Sequence, residues 1–209
     1  MPYSNYTLKR VKEEFNLEIV ENRDLFSETE EIEASDYLKT TLNYNIPLAL
    51  AISTEKARSE LIVSNVLLEV KKYLNDEVSL FSGINFDVDK NRDLNGFCDY
   101  ILSRSPEQFY LSSPVAAIAE AKNEQITSGL GQCIAEMIAS EIFNEREGNT
   151  VDKIYGAVTS GNTWKFLEYR KGTACIDRSE YYIANVNKII GIFVKMLRQE
   201  TLGDPQKTF

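Results

Sequence analysis

The sequence predicts an α/β protein in which helices pack against one mixed β-sheet. Three observations support this class: short β-rich runs with alternating apolar residues, longer segments with helical apolar spacing, and the order in which these segments alternate. The predicted order is α-β-β-β-α-β-β-α after an N-terminal segment of different character. One main folded unit is expected, because 209 residues suffice for one sizeable core and no repeat or long linker divides them.

Helical spacing is present in three segments. The first segment, residues 54–74, can be capped by Ser53 or Thr54 and has Glu55 in its first turn. Its apolar residues cover a broad face, which predicts a largely buried helix. The other two predicted helices are residues 127–147 and 180–199.

Five runs are predicted to be strands, because they combine β-branched and aromatic residues with alternating apolar positions. The first three are expected to form a meander, and the last two are joined by the turn Gly161-Asn162. The helix between the third and fourth strands permits a parallel crossover within an otherwise antiparallel sheet. In chain order the predicted strands are 79–89, 97–103, 115–122, 153–160 and 163–170.

Residues 1–52 differ in character from the rest of the chain. A short amphipathic piece with Leu8, Val11 and Phe15 is followed by the acidic run SETEEIEASD. Like charges so close together favour solvation over packing. We therefore expect an acidic N-terminal extension at 1–52, followed by the main domain at 53–209.

The composition excludes several kinds of chemistry. The chain contains no histidine, so catalysis by a histidine base and zinc binding through histidine are both unavailable. Cys98, Cys133 and Cys175 are widely spaced in apolar sequence, which predicts buried, reduced thiols rather than disulfides. Catalysis by this chain must therefore use carboxylates, lysine, hydroxyl groups or a bound metal.

Charge and hydropathy bear on location and partners. No run of 18 or more apolar residues is present and the first residues are polar, so we expect a cytoplasmic protein without membrane contact. The net charge of −9 argues against strong sequence-independent binding to nucleic acid. However, residues 1–55 carry −6 of this charge and residues 56–209 only −3, so the larger part can still present a local basic face.

Charged residues interrupt two of the apolar strands. Alternation along strand 115–122 places Glu120 and Lys122 on the face shared by Ala116 and Ile118. Asp99 lies in the middle of FCDYIL, where strand propensity disfavours aspartate. If the two strands pair, the carboxylates lie close together and repel unless a proton or cation separates them. Hard oxygen ligands of this kind suit Mg²⁺ or Mn²⁺.

This pattern resembles the PD-(D/E)XK nuclease superfamily, which has a restriction-endonuclease-like fold. The resemblance is carried by a strand aspartate, Asp99, and the Glu-x-Lys of the next strand, Glu120-Ala121-Lys122, within an α-β-β-β-α-β order. Cys98 stands where the proline of the motif's name would precede the aspartate. The resemblance covers about residues 54–170 and implies a small, stand-alone member.

The resemblance also implies a role for each matching residue. Asp99, Glu120, the Ala121 carbonyl and Glu60 on the first helix would bind Mg²⁺ or Mn²⁺, and Lys122 would hold or help deprotonate the attacking water. Gln132 matches a glutamine of RecB-like members, although residue 136 is glutamate where those members have tyrosine. The implied function is hydrolysis of nucleic-acid phosphodiesters, with DNA favoured over RNA.

Other interpretations remain open at this stage. The Glu120–Lys122 pair and Asp99 can be structural, and Glu60 and Gln132 can be ordinary helix residues. The chain can therefore also be a catalytically inactive nuclease-fold module that binds or regulates, with a homodimer formed through the final helix. A third hypothesis is an interaction domain that binds a basic partner through the acidic residues 28–36.

Overall fold

A mixed sheet of eight strands forms the centre of the structure, a computed structural model that describes residues 3–123 and 125–198. Helices flank the sheet, so the predicted α/β class with a mixed sheet is confirmed. The strands are β1 (Glu18–Arg23), β2 (Ser79–Asn85), β3 (Phe97–Ser103), β4 (Val115–Ala121), β5 (Ile154–Thr159), β6 (Thr163–Arg170), β7 (Thr173–Asp177) and β8 (Tyr181–Tyr182).

The helices differ from prediction mainly near the N-terminus. The predicted helix 54–74 is divided into two α-helical pieces by a π-helical turn at Ser59–Val63, and Thr54 caps it by accepting the Ala57 N–H. The helices are α1 (Leu8–Glu14), α2 (Asp36–Ile52), α3 (Glu55–Arg58), α4 (Ser64–Tyr73), α5 (Ile126–Arg146) and α6 (Val186–Leu197).

The strand order in the sheet is β1-β7-β6-β5-β4-β3-β2, and β8 pairs with β6. The predicted antiparallel meander of β2, β3 and β4 is confirmed, as is the parallel pairing of β4 with β5 across the α5 crossover. A second parallel pair, β1 with β7, was not predicted. Its two strands lie far apart in the sequence, so local periodicity carries no sign of their pairing.

Each face of the sheet is covered by its own apolar cluster. The first cluster includes Leu42 of α2, Val66 of α4 and Phe193 of α6, and the second includes Val11 of α1 and Ile134 of α5. Helix α5 therefore lies between the sheet and the N-terminal residues. It is the helix that faces the charged end of β4.

The segment predicted as an acidic N-terminal extension contributes to this same sheet and core. Within the described residues 3–52, β1 joins the sheet, and α2 buries Leu38 and Leu42. A Cβ added at Gly131 of α5 would lie 2.3 Å from the Thr7 carbonyl carbon, so the N-terminal backbone packs directly on α5. Side-chain bonds also engage the acidic run, with Asn187 donating to Glu33 at 2.8 Å.

Two further details differ from prediction. Ala116 packs with the opposite cluster from Ile118, because the register shifts between Leu102 and Ser103 and leaves Ala116 as an extra residue. The last helix begins at Val186 rather than near residue 180, because Tyr181–Tyr182 pairs with β6 instead.

The exposure of the helices is relevant to the predicted homodimer and to membrane contact. The apolar side chains of α6 from Ile189 to Leu197 are buried within the chain, so this helix offers little apolar surface for the predicted homodimer. No helix in the described ranges is long and apolar enough to cross a bilayer.

Candidate active site

The charged end of β4 holds a buried glutamate and a lysine in contact. Glu120 is only 2% exposed, and the Lys122 ammonium donates to its Oε1 at 2.6 Å. They share a face because strand side chains alternate, as the sequence predicted. The other carboxylate oxygen of Glu120, Oε2, is buried and accepts no hydrogen bond from the residues that the structure describes. Such an oxygen is costly in a folded chain and marks a place where a ligand can bind.

Asp99 lies on the neighbouring strand beside this pair. Its Oδ2 accepts the backbone N–H of Ala121 at 2.8 Å, which ties the two strands together at the level of Glu120. Antiparallel pairing of Tyr100 with Ala119 sets this register. The structure therefore brings together Asp99, Glu120, Ala121 and Lys122, as the sequence predicted.

A short chain of hydrogen bonds connects Lys122 to the interior of α5. The Lys122 ammonium donates to Gln132 Oε1 at 3.1 Å, and Gln132 Nε2 donates to Glu136 Oε1 at 3.0 Å. Gln132 and Glu136 lie one turn apart, so both side chains emerge from the same face of the helix. Glu136 is fully buried, and its Oε2 has no hydrogen-bond partner in the part of the chain that the structure describes.

Gly129 makes room for the stem of Lys122. A Cβ added at Gly129 would lie 3.0 Å from Cγ and from Cε of Lys122, and 2.7 Å from Cγ1 of Val158. These contacts are tighter than van der Waals packing permits. The absent side chain at 129 thus allows the lysine to pass between α5 and β5.

A cleft of about 250 Å³ opens beside Asp99. Its walls include Ala121 and Glu60, so three of the four predicted metal ligands face one space, and Glu55 lines it as well. Glu60 is exposed and pairs with Lys56 at 3.5 Å. It therefore lies at the edge of the cleft rather than at the buried carboxylates.

The π-helical turn forms one wall of this cleft. Tyr100 donates its hydroxyl hydrogen to the Ser59 carbonyl at 3.0 Å, and the Ser59 and Tyr100 hydroxyl oxygens lie 2.7 Å apart. These bonds anchor the turn to β3, next to Asp99. Single π-helical turns in longer helices occur often at functional sites.

Burial shifts the pKa values of the three central carboxyl groups upward. Burial and the nearby charge of Asp99 raise the pKa of Glu120 to about 8. Burial also raises the pKa of Asp99, and burial with the charge of Glu120 raises the pKa of Glu136 well above its ordinary value. Burial alone would lower the pKa of Lys122, but the attraction of Glu120 outweighs it and raises that pKa. Burial and mutual repulsion therefore disfavour the charged form of each of these carboxyl groups when no metal is bound.

The donor set resembles that of a Mg²⁺ site that retains water. Mg²⁺ is commonly bound by one or two carboxylates and keeps several waters. Asp99 and Glu120 supply two carboxylates, and Oε2 of Glu120 accepts no hydrogen bond within the described ranges. No three acidic or cysteine residues converge as a ready metal cluster within the described ranges. The residues thus fit a water-rich Mg²⁺ site and not a closed all-protein site.

Two residues near the site were not identified from the sequence as functional. Glu136 stands where RecB-like members have tyrosine, and it bonds directly to Gln132. The sequence predicts Glu55 only as a residue of a first helical turn, yet Glu55 lines the cleft and its charge acts on both Glu120 and Lys122. Spacing of four on one helix face could have identified Glu136. The position of Glu55 depends on how the helix packs on the sheet.

No protein-family model matches the sequence, and no curated protein shows significant similarity to it.

Proposed function

We propose that this protein is a metal-dependent hydrolase that cleaves phosphodiester bonds of nucleic acid, with DNA favoured over RNA. The observation that carries the proposal is the half-buried Asp99 beside the buried Glu120 and Lys122, with an oxygen of Glu120 that has no partner among the described residues and an open cleft next to Asp99. The similarity of these residues to the PD-(D/E)XK pattern adds support.

The chain's own groups would bind Mg²⁺ or Mn²⁺ through oxygen. Asp99 and Glu120 would be the carboxylate ligands, with the Ala121 carbonyl as a third ligand and Glu60 acting from the edge of the cleft. A bound divalent ion supplies an activated water and neutralises charge on the phosphoryl oxygens. Binding would also offset the repulsion that raises the carboxyl pKa values.

Lys122 would act on the reacting phosphate and water. Its ammonium lies at the end of β4, where contacts to Glu120 and Gln132 hold it in place. A fixed positive charge there would orient the attacking water and stabilise the negative charge that develops as the water attacks in line. Gln132 would keep the ammonium in position without neutralising it.

The charge of the chain limits how nucleic acid can bind. With a net charge of −9, general attraction to phosphates is weak, so affinity must come from local contacts and from the metal. Lys56 on the wall of the cleft offers one such contact. We therefore expect nucleic-acid binding to depend strongly on divalent metal and to weaken with salt.

The test is Mn²⁺ titration calorimetry together with plasmid nicking, on wild type, Asp99→Asn and Glu120→Gln. We expect both variants to lose metal binding and nicking, while Glu168→Gln, which alters a buried Glu–Lys pair elsewhere, keeps both. An RNA substrate in parallel reactions tests the preference for DNA. The proposal fails if wild type takes up no metal at millimolar concentration.

A second candidate function is a catalytically inactive nuclease-fold module that binds or regulates. It is favoured by one observation: Lys122 is already engaged by both Glu120 and Gln132, as a structural ion pair would be. In that case, nucleic acid or protein binding would persist in Asp99→Asn and Glu120→Gln, and nicking would be absent from wild type.

A further inference from the structure

The side-chain amide of Gln132 has only one orientation that satisfies both of its neighbours. An amide accepts at its oxygen and donates at its nitrogen, whereas a lysine ammonium only donates. The Gln132 oxygen must therefore face Lys122, as it does at 3.1 Å. This orientation leaves the amide nitrogen in need of an acceptor, and Glu136 Oε1 is that acceptor at 3.0 Å.

We propose that Glu136 is a positioning residue, which fixes the Gln132 amide so that it holds the Lys122 ammonium at the site. Its effect on turnover rests on the function proposed above, whereas the orientation of the amide can be measured without catalysis. Glu136 acts through Gln132, and no contact of its own with the substrate is required.

The surroundings of Glu136 agree with a role other than core packing. The side chain is fully buried, yet only one of its carboxyl oxygens has a partner among the residues described. The Ser140 hydroxyl donates to the backbone carbonyl of Glu136 and not to its carboxyl group. A buried polar group with an unsatisfied atom costs stability compared with an apolar residue of similar size. The one bond that it does make is to the amide that contacts Lys122.

The test compares Glu136→Gln with Glu136→Met. Glutamine keeps an acceptor oxygen at this position, whereas methionine has similar volume and no comparable acceptor. Two quantities are measured: hydrogen exchange of the Gln132 side-chain amide by NMR, and kcat and KM for nicking in Mg²⁺. The amide signal is assigned by its loss in Gln132→Met.

We expect Glu136→Gln to leave amide exchange and kcat within about twofold of wild type. In Glu136→Met, amide exchange should accelerate about tenfold or more and kcat should fall about tenfold with little change in KM, the scale of one lost buried hydrogen bond. Adding Glu136→Met to Gln132→Met should cause no further loss of kcat, because the two residues act as one unit.

Asn144→Ala is the matched control for damage to the same helix. Asn144 is buried on α5 and exchanges two hydrogen bonds, of 2.7 and 2.8 Å, with the backbone of Val115 at the opposite end of β4. Its removal should lower stability without changing exchange at Gln132.

Two results would overturn the proposal. One is a hydrogen-exchange rate of the Gln132 side-chain amide that is the same in Glu136→Met as in wild type. The other is a fall in kcat in Glu136→Gln as large as that in Glu136→Met. The carboxyl group itself, and not its acceptor oxygen, would then be required. If wild type proves inactive as a nuclease, the exchange measurements still decide the positioning role.

Discussion

Among the described residues, two Glu–Lys pairs with a buried glutamate lie along this sheet, and one of them carries the features on which the proposed active site rests. The site pair, Glu120 with Lys122, is 2.6 Å long, and the reference pair, Glu168 with Lys153, is 2.9 Å long. Both glutamates are largely buried. Length and burial therefore do not distinguish the two pairs.

The residues around each pair distinguish the two. Glu120 has a second carboxyl group, Asp99, beside it and an oxygen without a partner, whereas Glu168 has no such oxygen within the described residues. An ion pair balances one charge with one charge, and the site pair has an extra carboxyl group to accommodate. This excess of carboxyl groups over cations is the basis for the proposed metal site.

The largest expected difference between the two pairs is in nicking rate when the lysine of each pair is replaced. Lys122→Met should reduce nicking by two to three orders of magnitude, roughly the loss caused by removing one preorganised charge-stabilising group. Lys153→Met should change it by less than about twofold. Initial rates of plasmid nicking in Mg²⁺ measure both, and circular dichroism checks that both variants fold. Equal losses in the two variants would remove the distinction between the pairs.

A second difference should appear in how the free energy of unfolding depends on pH, when a chelator in the buffer removes divalent metal. In the unfolded chain Glu120 loses its proton near pH 4.5, but in the folded chain it keeps the proton until about pH 8. The folded state therefore binds more protons between these values, so the free energy of unfolding should fall as pH rises through this window. The upper limit is about 1.4 kcal/mol per pH unit for one group.

Glu120→Gln removes this titration and should make the decline of the unfolding free energy less steep, leaving the contributions of other carboxyl groups with raised pKa values, such as Asp99, Glu136 and Glu141. Glu168→Gln should keep the decline of the wild type. Urea denaturation at a series of pH values between 4.5 and 8 would show the difference. Parallel pH profiles for wild type and Glu120→Gln would mean that Glu120 is charged in the folded chain.

The same contrast explains what the sequence could predict. Strands β3 and β6 match their predicted ranges, 97–103 and 163–170, because local alternation and turn residues specify them. Glu120, Lys122 and Asp99 were predicted together for the same reason: Glu120 and Lys122 alternate along one run, and Asp99 lies on the preceding strand of the same meander. Local periodicity was sufficient for this part of the site.

The parts that were missed depend on contacts between distant segments. Strand β1 pairs with β7, so residues 18–23 become part of the sheet through a partner about 150 positions away. The acidic composition of residues 1–52 predicted a solvated extension, but burial of side chains such as Leu38 outweighs that tendency. The sequence does not distinguish Glu136 from other polar helix residues, because its role depends on the bond to Gln132 that the structure shows.

The smallest expected effect concerns the space that lets Lys122 reach the site. Gly129→Ala adds a methyl group 2.7 Å from Val158 Cγ1 and 3.0 Å from two carbons of Lys122. Overpacking costs about 1–3 kcal/mol, and the better helix propensity of alanine returns up to about 1 kcal/mol. We expect a net loss of about 1 kcal/mol in urea denaturation and about tenfold slower nicking, since the lysine stem must move.

Gly156→Ala is the matched change away from the lysine. Its added Cβ would lie 2.7 Å from Cys133 Sγ and from Met137 Sδ, so it overpacks the same side of the sheet without touching Lys122. It should cost a similar amount of stability while nicking stays within about twofold of wild type. If nicking falls equally in both variants, the loss follows from general strain between α5 and the sheet, and Gly129 has no specific role in placing the lysine.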